Sequence, residues 1–205
     1  MTLLDRKSIR ESIRRQRREI PAEARQTASQ RICRTMAQLQ SFQQAKNVAG
    51  FLAFDGEADP LELMTLACQN QKKVYVPVIV AKGQPLRFAP WYPAVAMRKN
   101  YFGIEEPDTP TSEWISAAEL DFVVCPLVAF DQSCSRIGVG AGYYDRSFAF
   151  LNDPASEQRR RSNHSTVLAG FAFEMQRLTQ IEPQPWDVPL DWVVTEKQIY
   201  RRMDR

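Results

Sequence analysis

Apolar and polar positions along this chain repeat with two periods. Ile9, Ile13 and Ile20 recur near the helical spacing while Arg10, Arg14, Arg15, Arg17 and Arg18 fill the positions between them, which predicts an amphipathic, strongly basic helix over residues 5–19 that Pro21 ends or restarts. Ala24, Ala28, Ile32, Met36 and Leu39 form a second helical stripe. The run from Val48 to Phe54 is continuously apolar and of strand length, so it predicts a central strand buried on both faces. Asp59-Pro60-Leu61-Glu62 carries a capping Asp, then Pro at the first helical position and Glu behind it, the opening of a helix that runs to about Gln71.

Further apolar runs predict strands over 73–80, 86–88, 122–128, 167–173 and 192–194, and the pattern predicts helices over 112–120 and 143–151. Residues 90–93 read as a Trp/Tyr/Pro-rich connector and the polar stretch 152–165 as an inserted loop. Strands and helices alternate. That alternation predicts an α/β fold, a single three-layer domain over residues 1–205 with a mostly parallel central sheet and helices on both faces. Ligands of such a sheet gather beyond the carboxyl ends of its strands.

Composition narrows the chemistry. In 205 residues, 27 Lys and Arg oppose 24 Asp and Glu, and a net charge of +3 is too small to draw in a polyanion by whole-molecule attraction. No apolar run approaches the ~18 residues of a membrane span, and the first residues lack the pattern of a secretion signal, so a cytoplasmic monomer acting on small molecules is expected, without membrane or nucleic-acid partners. The four cysteines form no C-x-x-C pair and read as free, mostly buried thiols. The single histidine, His164, lies in the polar stretch and reads as a solvated loop residue. Ser-His-Asp hydrolysis and HExxH zinc chemistry need imidazoles that this chain lacks. Carboxylates, arginines, backbone amides or a metal must do any catalysis.

One segment has the position of a ligand loop. Asp131-Gln132-Ser133-Cys134-Ser135-Arg136-Ile137-Gly138-Val139-Gly140-Ala141-Gly142-Tyr143-Tyr144-Asp145-Arg146 sits between a predicted buried strand and a predicted helix. Alternating glycines let successive N–H groups turn toward one point, and the helix start adds positive potential, so an anion such as phosphate is the natural guest. The spacing is neither a Walker loop nor a dinucleotide fingerprint, and the glycines alone suit a packing turn equally well. Arg136 before them, two tyrosines after them and Asp145 one turn on favour the ligand reading. Asp145 beside phosphates is what Mg²⁺ needs. Asp191 could converge on the same ion, or serve only as a turn residue at a strand edge.

Pro126-Leu127-Val128-Ala129-Phe130-Asp131 followed by Arg136 to Arg146 resembles the signature of the 5-formyltetrahydrofolate cyclo-ligase family, also called 5,10-methenyltetrahydrofolate synthetase. Four other segments are similar to family landmarks in the same order: Arg6-Lys7-Ser8-Ile9-Arg10, Phe51 to Glu57, Asn100 to Pro107, and Trp186 to Asp191. The resemblance implies ATP- and Mg²⁺-dependent closure of 5-formyltetrahydrofolate to 5,10-methenyltetrahydrofolate, with ADP and phosphate released through a phosphorylated formyl group. It implies that Arg6, Lys7, Arg10, Arg136, Ile137, Gly138, Val139, Gly140, Ala141, Gly142, Tyr143 and Tyr144 bind ATP. Glu57, Val139, Gly140, Ala141, Gly142, Tyr143 and Trp91 would meet the folate, Arg136 and Glu57 would be catalytic, and Asp145 with Asp191 would hold Mg²⁺. The tyrosines and Trp91 are equally natural as packing residues.

The chain departs from the family pattern at three positions. Arg6 stands where Lys is more usual, Cys134 where a turn Gly is usual, and Ala141 where Gly or Lys is common. Rival readings are a sugar-phosphate isomerase or CoA-transferase-like protein that binds phosphate without consuming ATP, and a non-catalytic folate- or nucleotide-binding relative. A basic N-terminus, ten Lys or Arg against four Asp or Glu in residues 1–34, also admits a nucleic-acid contact, though no aromatic residue interleaves those charges.

Overall fold

The computed structural model describes residues 5–100, 103–152 and 166–203, so His164, most of the polar stretch and Tyr101 and Phe102 lie outside the described residues. The chain opens with α1 (Arg6–Arg18), α2 (Ala22–Ala37), a short α3 (Gln40–Gln44) and β1 (Asn47–Ala49). Next come α4 (Leu61–Gln69), β2 (Lys73–Val78), β3 (Arg87–Trp91) and a hairpin of β4 (Met97–Lys99) with β5 (Glu105–Pro107). After β6 (Phe122–Cys125), a second hairpin of β7 (Ala129–Phe130) and β8 (Arg136–Ile137) leads to α5 (Tyr143–Ser147). β9 (Val167–Phe171), β10 (Trp192–Val194) and β11 (Ile199–Arg201) finish the order.

Seven strands form one sheet in the order β11-β10-β9-β6-β1-β2-β3. Its five inner strands run parallel, and the antiparallel β3 and β11 close the two edges. Side chains alternate between two cores, as the pleat requires. Val48, Val74, Val76, Phe122, Val124 and Phe171 face Ile32, Met36, Phe42, Leu63 and Met64 of α2, α3 and α4. Ala49, Tyr75, Val123, Leu168 and Val193 face Phe88, Phe130, Phe148, Leu151 and Leu190. The fold is therefore α/β with a mostly parallel sheet, as the alternation predicts. Its second face is covered by α5, 3-10 turns and loops rather than by long helices.

Local differences from the periodicity have tertiary causes. Residues 112–120 are not a helix but two 3-10 turns, Thr111–Glu113 and Ala117–Glu119. Between them Ile115 exchanges backbone hydrogen bonds with Phe88, because the edge strand β3 offers unpaired groups and takes the segment as a partner. Likewise Pro90 and Trp91 extend β3 rather than leaving it, and β1 stops at Ala49 as the chain turns out toward α1. Asp59 does hold the start of α4, accepting from Leu61 N at 3.0 Å. Among the described residues no helix is long and apolar enough to cross a membrane.

The loop that ends in Val188 and Leu190 packs directly on the sheet at Gly170. A Cβ there would lie 2.7 Å from Leu190 Cδ1 and 2.8 Å from Leu127 Cδ2. Gly170→Ala is expected to overpack this contact at a cost of about 1–3 kcal/mol. Urea unfolding should show a lower midpoint with an unchanged slope, and an unchanged midpoint would mean that the loop yields freely.

Candidate active site

The site grows from one face of α1. Asp5 caps the helix, accepting from Lys7 N at 2.7 Å and Ser8 N at 3.0 Å. Ile9 packs with Ala129, Ile137 and Ile181, and this apolar seat turns Arg6, Arg10, Arg14 and Arg17 toward the loops at the carboxyl edge of the sheet. Each arginine meets a different partner.

Beyond β1 the chain makes a tight turn, closed by Glu57 N donating to Phe54 O at 3.0 Å. Its central residues, Asp55 and Gly56, have φ of 52° and 75°, the left-handed pair of a type I′ turn. A Cβ on Gly56 would also sit 3.2 Å from the Arg17 carbonyl, so the helix backbone is pressed against the turn. Arg14 Nε donates to Asp55 Oδ2 at 2.6 Å, Arg18 donates to Oδ1, and Arg17 Nε donates to the Asp55 carbonyl at 3.1 Å. The Arg18 hydrogen bond, with Arg14 behind it, holds Asp55 below the usual carboxylate range. Arg17 is only 1% exposed and lies 3.7 Å from Glu57 Oε1. Burial pushes the Glu57 carboxyl up to about 7, and the Arg17 charge offsets only part of that.

The glycine loop lies on the other side of α1. Asp131 organises its entry by accepting from Ser133 N, Ser135 N and Ile181 N at 2.8–3.0 Å. Cys134 adopts φ 62°, so the cysteine keeps the left-handed turn in which a glycine is more usual. Gly140 and Gly142 have φ of 107° and 66°. Arg10 Nε donates to Gly138 O at 2.8 Å, and a Cβ on Gly140 would lie 3.4 Å from Arg10 Cζ, so the bare backbone lets the guanidinium rest on the loop. The N–H groups of Val139, Gly140 and Ala141 make no hydrogen bond among the described residues. These are the amides an anion would occupy. The helix behind them is shorter than its periodicity predicts: α5 has five residues and passes into a 3-10 turn at Ala149–Asn152, so its dipole adds little.

The expected cations divide into two kinds. Arg6 is neutralised by Asp187 at 2.7 Å and donates to Glu182 O at 2.7 Å. Arg136 is buried, paired with Asp145 Oδ1 at 2.6 Å and donating to the Val188 carbonyl, while Val188 N returns a bond to the same Asp145 oxygen at 3.2 Å. Arg136 is thus a brace between β8, α5 and the late loop rather than a cation open to phosphate. Arg10, part-buried, and Lys7, exposed, form no salt bridge among the described residues, although the Lys7 charge is felt by Asp5.

Four other expectations meet a definite place. Asp191 stands in the strand ladder, where Leu168 N donates to Oδ2 at 2.9 Å and Arg202 to Oδ1 at 3.2 Å. No group of three or more ligating side chains stands together among the described residues. Trp91, expected at the folate, is 7% exposed in β3 and packs in the core beneath α2 and α4. Ile137 is buried behind the loop, so only its backbone borders the site. Tyr143 carries the Arg146 guanidinium over its ring at 5.1 Å, whereas the Tyr144 ring stacks on Phe148 with its hydroxyl enclosed.

Arg14, Arg17, Arg18 and Asp55 border the candidate site, although the sequence assigns them no part in it. Their signal was present as an arginine stripe at helical spacing and an Asp-Gly turn pair.

The 5-formyltetrahydrofolate cyclo-ligase family model matches residues 3–196. A 5-formyltetrahydrofolate cyclo-ligase from Haemophilus influenzae is 32% identical over 191 residues, covering 93% of this chain and 97% of its own length. One from Escherichia coli K12 is 30% identical over 190 residues, covering 92% and 98%. The NMR structure of Aquifex aeolicus 5,10-methenyltetrahydrofolate synthetase has the same fold, with a TM-score of 0.77 at 26% identity over 98% of this chain and 94% of that one. A family match over nearly the full length, with relatives this similar on either side of the glycine loop, means that the chain belongs to the 5-formyltetrahydrofolate cyclo-ligase family.

Proposed function

We propose that this protein closes 5-formyltetrahydrofolate to 5,10-methenyltetrahydrofolate, consuming ATP with Mg²⁺ and releasing ADP and phosphate. The observation that carries the reading is the trio of unbonded amides at Val139, Gly140 and Ala141 beside Arg10. An anionic tail placed there meets N–H groups and a cation that no carboxylate among the described residues already neutralises.

The chemistry explains why such a site needs no histidine. The N5-formyl group is an amide, and its oxygen leaves poorly. Transfer of the γ-phosphoryl group from ATP to that oxygen gives ADP and makes it a phosphate ester. N10 then attacks the formyl carbon and loses its proton, and the carbon–oxygen bond breaks to release phosphate. The protein's work is positioning and charge neutralisation. Arg10, Lys7 and the loop amides receive the phosphates, while Arg136 and Arg6 brace the walls. Glu57, a carboxyl with an affinity for protons near neutrality, is suited to accept the N10 proton.

The donor set fits Mg²⁺ through one residue. Asp145 uses Oδ1 for Arg136 and Val188, and its Oδ2 accepts no hydrogen bond among the described residues, so Asp145 would hold the ion together with phosphate oxygens. When bound, the ion supplies neutralisation of phosphate charge. Asp191, occupied in the strand ladder, fits this role less well than Asp145.

The deciding assay mixes purified protein with 5-formyltetrahydrofolate and Mg²⁺, with and without ATP, and follows methenyl absorbance together with ADP release. Both products should appear only with ATP. Phosphate binding without ATP consumption would favour the isomerase or CoA-transferase reading, and binding without turnover a non-catalytic relative. Asp145→Asn keeps an oxygen that can accept from Val188 and Arg136 but leaves the buried Arg136 without its counter-charge, so its melting temperature should fall, while turnover of the folded variant falls about 100-fold or more. Unchanged turnover would remove Asp145 from the metal. Glu57→Gln should impair folate binding more than nucleotide binding, as read by separate titrations.

Glu57 also gives a signed pH effect. Its folded pKa of about 7 exceeds the ordinary 4.5, so the folded state holds the extra proton between those values. This contribution to stability is full below the ordinary value and is lost as pH rises through about 7. Melting temperatures measured from pH 5 to pH 8 should therefore fall in wild type relative to Glu57→Gln, and parallel curves would contradict the shift.

A further inference from the structure

Tyr144 is poorly explained by packing alone. Its ring stacks on Phe148 with centroids 6.0 Å apart, a contact that phenylalanine would make equally well. Its hydroxyl oxygen is buried and has no hydrogen-bond partner among the described residues. An orphaned buried hydroxyl costs about 1–3 kcal/mol relative to a satisfied one, and such groups are rare in folded proteins. The preceding residue does not share this state, since Tyr143 is covered by Arg146.

The surroundings of the hydroxyl indicate what it would meet. Glu57, Cys125 and Arg136 are its electrostatic neighbours, which places it toward the carboxyl ends of β1 and β6. The exposed amides of the glycine loop and Arg10 lie at the phosphate side instead. A phosphate drawn in beside Glu57 would face like charge whenever that carboxyl is ionised, in a setting where screening is weak. A neutral acceptor suffers no such repulsion. Of the two substrates in the proposed reaction, only the folate brings a neutral amide oxygen to the reacting end.

Resting on that reading, we propose that Tyr144 Oη is a positioning donor for the formyl oxygen of the bound folate, unmet in the free protein and satisfied when substrate enters. The hydroxyl acts as a neutral donor and undergoes no ionisation. It fixes the formyl group between the γ-phosphate on the loop side and Glu57 on the N10 side. In place of the ATP contact that the family resemblance implies for Tyr144, its ring is then scaffold and its oxygen the working atom.

Tyr144→Phe tests this, because it deletes the oxygen alone. The free variant should melt at or above the wild-type temperature, since no hydrogen bond is lost. Calorimetric titration with 5-formyltetrahydrofolate should show affinity weakened about 3- to 10-fold, the worth of one hydrogen bond. Titration with 5-methyltetrahydrofolate, which lacks the oxygen, should be unchanged by the substitution, as should binding of a non-hydrolysable ATP analogue with Mg²⁺. Equal weakening for both folates, weakening for the nucleotide alone, unchanged affinity for the formyl compound or a lower melting temperature of the free variant would each overturn the assignment. If wild type itself binds neither folate, the functional reading fails and this inference fails with it. Wild-type binding of the formyl compound with an indifferent variant overturns only the role of Tyr144.

Discussion

The insertion of Arg17 between Asp55 and Glu57 is the contact on which the rest of the site depends. α1 forms no part of the sheet, and its apolar seat on Ala129, Ile137 and Ile181 is small. What orients it is a row of guanidinium groups, with Arg14, Arg17 and Arg18 converging on one turn. Removing one member of a buried pair commonly costs about 3–5 kcal/mol because the remaining charge is stranded. Arg17 therefore specifies where the helix sits even if the net stability of the pair is modest. Two consequences follow from that placement. Arg10, two turns earlier, is carried onto the glycine loop, and Glu57 is enclosed deeply enough to retain its proton near neutrality.

Much of the scaffold was legible because its signals are local. The isoleucine spacing of α1, the stripe of α2 and the apolar runs of β1, β2, β6, β9 and β10 each state their own period, and the order of strands and helices implies the parallel sheet. Illegible features were those that another part of the chain imposes. Ile115 lies in a helix-like pattern, yet the open edge of β3 captures its backbone. The hairpins of β4 with β5 and β7 with β8 are two or three residues per strand, too short to express a period of two.

The site divides along the same line. Glycines with positive φ, the Asp-Gly turn and the capping residues can be read from neighbours in sequence, and Cys134 holds a left-handed turn conformation that glycine adopts at less cost. Charge state cannot be read that way. Arg6 and Arg136 look equivalent to Arg10 in sequence, but partners 181 and 9 residues away neutralise them, whereas Arg10 donates to a carbonyl and forms no salt bridge among the described residues. The placements of Asp191 and Trp91 are equally invisible in sequence, since the ladder engages one side chain and the core the other. The enclosed hydroxyl of Tyr144 gives no sequence signal at all.

This distribution of charge separates the site into two environments. On the loop side, amide dipoles and an uncompensated Arg10 favour a polyanion and are partly exposed, so a nucleotide tail can arrive without complete dehydration. On the Glu57 side, one buried Arg17 is shared between Asp55 and Glu57 and water is excluded, a setting that suits a neutral amide better than a second anion and strengthens any hydrogen bond made to it. A single uniform cationic pocket would hold phosphate equally well, but it would also hold the Glu57 carboxyl fully ionised and lower its basicity. Keeping Arg17 shared between two carboxylates leaves Glu57 incompletely compensated. That incomplete compensation leaves a carboxyl with an affinity for protons near neutral pH, the property the proposed reaction asks of Glu57 in a chain whose lone histidine lies elsewhere in the sequence.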